Sequence, residues 1–272
     1  LDIDVALKVL PDSLRTNEGA LAQLKHEAQK CVRLTHSRIV RIFDLMVTED
    51  LAALTMEFVD GKTLAQLREE KPDAVFSVEE IEGWVRQIGE ALVYAHTEAR
   101  IVHRDLKPSN VMIGADGNIK VADFGISRSL GGTLTQPIMR ETVTGTLAYM
   151  GPQQLRGESP SVQDDIYSLG AMIYELLTSR PPFYTGDVMS QIETKMPDAP
   201  VQRRTSLGHG GAEIPEEWES VVLSCLAKRS GDRPKDIAEV MAGLGISSDD
   251  IEGDTRKEGW AHWLVGGLVV LV

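Results

Sequence analysis

The sequence predicts an α+β fold, with strands and one helix in the first 58 residues and mainly helices afterwards. Three observations carry that reading. Val5–Leu10, Ile39–Phe43 and Leu51–Phe58 have the apolar alternation of strands, and one helical stripe lies among them. Most of the later chain repeats its apolar residues at three and four, the period of helices packed on a core. The exception is one β-hairpin, Val111–Ile113 and Ile119–Ala122 about an Asp116-Gly117 turn, flanked by two polar clusters. The 272 residues, 42% hydrophobic, suffice for one domain or two packed lobes. A net charge of −13 argues against a nucleic-acid surface and against adhesion to anionic lipid. The two cysteines, Cys31 and Cys225, lie in apolar helical patterns and read as reduced core residues.

Taken in order, Val5-Ala6-Leu7-Lys8-Val9-Leu10 is a strand with Lys8 among apolar neighbours. Asn17 to Leu34 is a helix whose stripe is Leu21, Leu24, Ala28, Cys31 and Leu34. Glu27 shares that inward side, and a carboxylate there needs a cation, for which Lys8 is the candidate. Strands at 39–43 and 51–58 pair across a turn near Glu49-Asp50, and Val59-Asp60-Gly61 breaks the pattern. A capping box of Ser77 with Glu80 announces a long helix to His96, with Ile81, Trp84, Val85, Ile88, Leu92 and Ala95 inward. A helix opening at Asp164-Asp165 stays apolar nearly all round to Leu177, so it is expected to be buried. Helices over 216–227 and 235–244 follow.

The stretch His103–Gly125, HRDLKPSNVMIGADGNIKVADFG, organises the rest. Folding about Asp116-Gly117 brings Asn110 and Asp123 to the hairpin's open end from opposite legs. An amide oxygen and a carboxylate together suit a hard cation that keeps some waters. Asp105, a base candidate, and Lys107, a cation, stand just upstream on a loop that Pro108 keeps from becoming helix.

HRDLKPSN at 103–110 followed by DFG at 123–125 resembles the catalytic loop and metal motif of protein kinases, specifically the eukaryotic-like Ser/Thr kinases of bacteria. The resemblance runs from residue 1 to about 245. It implies a two-lobed protein-kinase-like fold: a β-sheet small lobe with one helix and its first strands missing, then a mainly helical large lobe. It implies transfer of the ATP γ-phosphoryl group to protein Ser/Thr hydroxyls, with Mg²⁺ or Mn²⁺. Asp105 and Lys107 would be catalytic, and Asn110 and Asp123 would hold the metal. ATP binding would fall to Lys8, set by Glu27, with Ala6, Met56, Glu57, Val59 and Met112. Lys107 two residues after Asp105, and Thr146 in the docking turn, resemble Ser/Thr rather than Tyr kinases.

A Gly/Thr-rich segment from Gly125 to about Met150 corresponds to an activation segment, and Gly145–Gln153 resembles the substrate-docking turn. Arg104, with no catalytic task, is expected to bind phosphate on Thr142 or Thr144 after autophosphorylation, which makes the protein its own substrate. Two departures stand out: Gln153 where the family has Glu, and Gly151 where it has Ala or Ser. The Glu ordinarily pairs with a later Arg, here Arg233, so a weaker neutral contact is expected. Asp165 resembles the buried Asp that ties its helix to the catalytic loop's backbone.

The expected organisation is 1–58, an incomplete small lobe; 59–246, the large lobe; 247–259, a linker; and 260–272, the start of a transmembrane helix. That last run is apolar from Trp260 to Val272, and its alternative reading is a terminal strand docked on the domain. Its thirteen residues cannot span ~30 Å of hydrocarbon, so the span would require further residues. Such an anchor would tether a cytoplasmic kinase domain to the inner face of the cell membrane. No G-x-G-x-x-G occurs, which fits a sequence starting inside the fold; the rival reading is a pseudokinase or scaffold that has lost its phosphate cover.

Overall fold

The computed structural model describes residues 4–125, 143–247 and 268–271, with 143–144 and 268–271 described by backbone alone. The first lobe begins with β1 (Val5–Val9), a short α1 (Asp12–Arg15) and α2 (Glu18–Cys31). The Asn17 side chain caps α2, accepting the Ala20 amide at 3.0 Å. Ala20, Leu24, Ala28 and Cys31 are its buried face; Leu24, Ala28 and Cys31 belong to the predicted stripe, whereas Ala20 is buried in place of Leu21, which is only partly covered. β2 (Ile42–Val47) and β3 (Ala52–Glu57) follow, and β3 pairs antiparallel with both β1 and β2. Ala6 sits opposite Met56 and Lys8 opposite Leu54.

After the break at 59–61 come β4 (Gly61–Thr63) and α3 (Leu64–Glu70), a helix missing from the sequence reading. Its signal was present, since Thr63 and Gln66 form a capping box, but Leu64 is its only buried residue. α4 (Val78–Thr97) starts at the expected Ser77–Glu80 capping box. β5 (Val111–Gly114) and β6 (Ile119–Val121) form the expected hairpin, with Val111 opposite Val121. Gly117 takes φ +79°, where a side chain is strained. β4, β5 and β6 make a second, three-stranded sheet.

The predicted strand at 39–43 begins three residues late. Ile39 instead bridges Val121, and the Val40 amide donates to the Val121 carbonyl at 2.9 Å. The Val40 amide is spent joining the first lobe to the hairpin, and bonding to β3 starts only at the Arg41 carbonyl, which accepts the Glu57 amide at 2.8 Å. Arg38 strengthens the join, reaching buried Glu90 of α4 at 3.3 Å and Asn118 at 2.7 Å.

The remaining helices are α5 (Val143–Leu147), α6 (Pro152–Leu155), α7 (Val162–Thr178), α8 (Val188–Thr194), α9 (Pro200–Ser206), α10 (Glu216–Cys225) and α11 (Ile237–Gly243). α7 is the axis of the large lobe, buried at every residue from Asp164 to Thr178 as its all-round apolarity predicts. A Cβ on Gly170 would lie 2.5 Å from the Cys225 Cβ, so this glycine lets α7 and α10 touch. Cys31 and Cys225 are buried free thiols, both with pKa pushed up to about 12 by burial.

The end of the chain departs from expectation. Leu268–Leu271 is a strand, β7, paired parallel with β1, so the first sheet runs β2-β3-β1-β7. At these four residues a docked strand replaces the expected helix. Two β-branched valines suit a strand, and the open edge of β1 offers unpaired backbone groups. Residues 248–267, which hold most of the expected linker and the start of the helix, lie outside the described residues. Among the described residues no helix is long and apolar enough to cross a membrane.

Candidate active site

The loop between α4 and β5 carries the chemistry. Buried Asp165 of α7 holds it, accepting the His103 amide at 2.8 Å, the Arg104 amide at 2.8 Å and His96 Nε2 at 2.7 Å. Satisfying three donors keeps a fully buried carboxylate tolerable. His103 Nε2 donates to the Ala122 carbonyl at 2.9 Å and Nδ1 accepts the Asp105 amide at 3.2 Å, a neutral imidazole bracing both polar clusters. Arg104 and Asp123 take φ +72° and +64°, a strained region for residues with side chains. The surrounding bonds hold them there.

Asp105 is held from two sides. Lys107 Nζ lies 2.9 Å from its Oδ2, and Asn110 Nδ2 donates to its carbonyl at 2.8 Å and its Oδ2 at 3.1 Å. Lys107 Nζ also donates to Thr146 Oγ1 at 2.8 Å. One ammonium therefore joins the base candidate to the docking turn, bringing together three residues the sequence singled out.

At the hairpin's open end the Ala122 amide donates to the Asn110 carbonyl at 2.8 Å, so Asn110 and Asp123 flank one rung on opposite legs, as the spacing requires. Asn110's amide nitrogen is committed to Asp105, which leaves its oxygen as the ligand atom, and Asp123 supplies a carboxylate. Among the described residues no three of His, Cys, Asp and Glu gather as a metal cluster. An amide oxygen and a carboxylate fit a hard cation that completes its shell with water and phosphate oxygens.

The expected Lys8–Glu27 pair is not formed. Lys8 Nζ lies 2.6 Å from Asp123 Oδ2, and Glu27 Oε1 lies 3.6 Å from Arg104 Nη1. The reasoning that Glu27 needs a cation holds, but a second cation was in reach. Arg104 comes from a loop 77 positions on (104 − 27), a proximity no local pattern reveals. Of the other expected nucleotide contacts, Ala6 and Met56 face each other across β1 and β3, Glu57 pairs with Lys120 at 2.9 Å, Val59 is half-buried at the break, and Met112 lies opposite Lys120 and Thr63. Thr142 lies outside the described residues, and Thr144 is described only as backbone in α5.

Gln153 Oε1 accepts Arg233 Nη2 at 2.7 Å, the neutral contact the sequence anticipates. Arg233 is buried over the Tyr167 ring, and its other donors go to the Gln163 and Ala227 carbonyls, each at 2.8 Å. A Cβ on Gly151 would stand 3.3 Å from the Tyr167 ring, which accounts for glycine there. Lys228 was missed by sequence reading. Among the described residues its buried Nζ has no acceptor, and burial, then Arg233, pulls its pKa down to about 8. His96 was missed too, since a histidine ending an apolar stripe carries no local sign of a carboxylate 69 positions away.

A sheet lobe and a helical lobe meeting at a loop and hairpin end that present Asp105, Lys107, Asn110 and Asp123 define the protein-kinase-like class of fold. Comparisons agree with the geometry. Residues 2–242 match the protein kinase domain family, and the chain belongs to that family. It is 37% identical over 255 residues to the probable serine/threonine-protein kinase PknB of Lactococcus lactis, covering 93% of this chain and 39% of that protein. It is 35% identical over 246 residues to the serine/threonine-protein kinase PknB of Mycolicibacterium smegmatis, covering 89% and 38%. The chain thus spans about two fifths of these relatives' length. Among solved structures, the PknI kinase domain (C20A) of Mycobacterium tuberculosis superposes with TM-score 0.66 at 24% identity, covering 91% of this chain and 84% of that one. Rad53 (1–466) in complex with AMP-PNP gives TM-score 0.66 at 27% identity, covering 89% and 57%.

Proposed function

We propose that this chain is the catalytic domain of a Ser/Thr protein kinase that transfers the γ-phosphoryl group of ATP to protein hydroxyls. The observation that carries it is the Asp105–Lys107–Thr146 chain, which places a carboxylate and an ammonium at the docking turn. Asp105, its oxygens oriented by Lys107 and Asn110, positions the substrate hydroxyl and takes its proton. Lys107 faces both Asp105 and the incoming phosphoryl group, whose charge it offsets. Asn110 and Asp123 would hold Mg²⁺ or Mn²⁺, which supplies charge neutralisation at the phosphates. Lys8, beside Asp123, serves the α- and β-phosphates; turning Glu27 from Arg104 to Lys8 would complete that arrangement.

The test is Asp105→Asn in the full-length protein, assayed with Mg²⁺ and a generic Ser/Thr protein. Loss of about 10²–10⁴-fold in turnover is expected for a general base. Equal turnover in parent and variant rejects the assignment.

For the longer protein, the run from Trp260 supports a tether to the inner face of the cell membrane, with Arg256 and Lys257 on the cytoplasmic side. Tethering requires Leu268–Leu271 to leave the edge of β1. Fractionation finding full-length protein away from membranes refutes it.

A further inference from the structure

The strand that delivers Asp123 to the site is β6, and one residue from outside the hairpin holds it at both ends. Arg38 Nη1 donates to Asn118 Oδ1 at 2.7 Å just before the strand, and the Arg38 carbonyl accepts the amide of Val121, its last residue, at 2.8 Å. Asn118 is turned for this contact. Its Nδ2 donates to Asp116 Oδ2 at 2.7 Å, which leaves Oδ1 facing the guanidinium. A third contact fixes Arg38 itself. Its Nε donates to Glu90 Oε2 at 3.3 Å, and Arg86 Nη1 donates to the other oxygen of that carboxylate at 2.8 Å. Glu90 is 5% exposed, so α4 holds a buried carboxylate between two guanidiniums. The same helix reaches β6 directly, since Gln87 Oε1 accepts the Ile119 amide at 2.9 Å. Two residues beyond Val121 stands Asp123 at φ +64°, a conformation that persists only where its surroundings over-determine it.

We propose that Arg38 is a positioning residue for Asp123 as a metal ligand, acting through β6 with Glu90 as its anchor. It touches no reacting atom. A carboxylate ligand serves a cation only when its supports hold it near the productive geometry. Fixing both ends of a three-residue strand leaves little freedom two residues further on, whereas a strand released at one end can pivot about the other. The inference rests on the kinase reading for the metal and on the hydrogen bonds alone for the clamp.

Three variants of the full-length protein test it: Arg38→Met, Asn118→Ala, and Arg38→Met combined with Glu90→Gln. Mn²⁺ affinity in the presence of ADP, read by electron paramagnetic resonance, is expected to weaken roughly threefold to tenfold in Arg38→Met, less than the roughly 10–100-fold typical of a group bonded directly to a ligand. Asn118→Ala, which buries no charge, gives a smaller loss in the same direction. The double variant removes the carboxylate that Arg38→Met leaves with one counter-ion fewer, so its Tm recovers while its Mn²⁺ affinity stays weak. Hydrogen exchange of the Lys120–Phe124 amides, which needs neither metal nor activity, should speed up in all three, with α7 keeping the parent rate. Parent-like Mn²⁺ affinity and exchange in a folded Arg38→Met overturn the proposal. So does a Mn²⁺ affinity that returns with Tm in the double variant, or faster exchange spread equally over α7, because either marks Arg38 as a general support of the fold. If the parent itself binds no Mn²⁺, the kinase reading fails at its metal site, and exchange of the Lys120–Phe124 amides alone decides whether Arg38 holds the strand.

Discussion

Gln153→Glu should stabilise this protein. Arg233 is 5% exposed, yet its acceptors among the described residues are all neutral: Gln153 Oε1 at 2.7 Å and the carbonyls of Gln163, Ala227 and Lys228. Lys228 adds a second cation, its buried Nζ without an acceptor among the described residues. Arg233 is charged with either residue, and a hydrogen bond to a charged group contributes about 1.5–3 kcal/mol, so exchanging an amide for a carboxylate acceptor at 153 gains about 1–1.5 kcal/mol within that range. Against this, the Gln153 Nε2 bond to the Lys228 carbonyl at 2.9 Å is lost, at roughly 1 kcal/mol. Attraction to Lys228 tips the balance to a net gain of ~1 kcal/mol, or about 2–4 °C in Tm for a domain of this size. Calorimetry at pH 7 measures it directly. The pH dependence gives an independent check. Lys228 has its folded pKa lowered to about 8 from 10.5, so between those values the unfolded chain holds a proton that the folded chain lacks. Stability contributed by this group therefore rises with pH from about 8 to 10.5. Gln153→Glu raises the folded pKa and flattens that rise. A Tm that stays level or falls, with the alkaline slope unchanged, refutes the reasoning: burying a carboxylate would then cost more than two unpaired cations give back.

Two further outcomes follow from the same geometry. Asp165→Asn puts one amide group where three donors converge, and its own NH₂ must face one of them. Turnover at saturating ATP should fall roughly tenfold to a hundredfold, as loss of one to two strong hydrogen bonds implies; unchanged turnover would show that the loop holds its shape without α7. Among the described residues the buried Nε of Arg104 has no partner, and its Nη1 stands 3.6 Å from Glu27. A phosphate on Thr142 or Thr144 should compete with Glu27 for this guanidinium and release Glu27 toward Lys8. Activity that rises with phosphate at these positions by mass spectrometry, and is lost in the double alanine variant, is the expected result. A fully active double variant would leave Arg104 a purely structural role.

Much of the site was legible because its logic is local. His103–Gly125 lies within one hairpin and its approach, so a turn at Asp116-Gly117 and alternation on two legs place Asn110 opposite Asp123. The stripe of α2, the cap of α4 and the all-round apolarity of α7 were likewise read from spacing alone, since burial on one face imposes a period. Charge pairing was not legible. The sequence says that Glu27 on an apolar face needs a cation, but Lys8 and Arg104 meet the need equally well on paper. Only the packing of α2 against the catalytic loop gave Glu27 to Arg104 and Lys8 to Asp123. The same holds for Arg68 with Glu175 and for His96 with Asp165, joined across 107 and 69 positions. A salt bridge is a contact of side-chain tips and leaves no periodic trace in the chain. Its partners are chosen by how the helices stack, so that choice belongs to the tertiary structure.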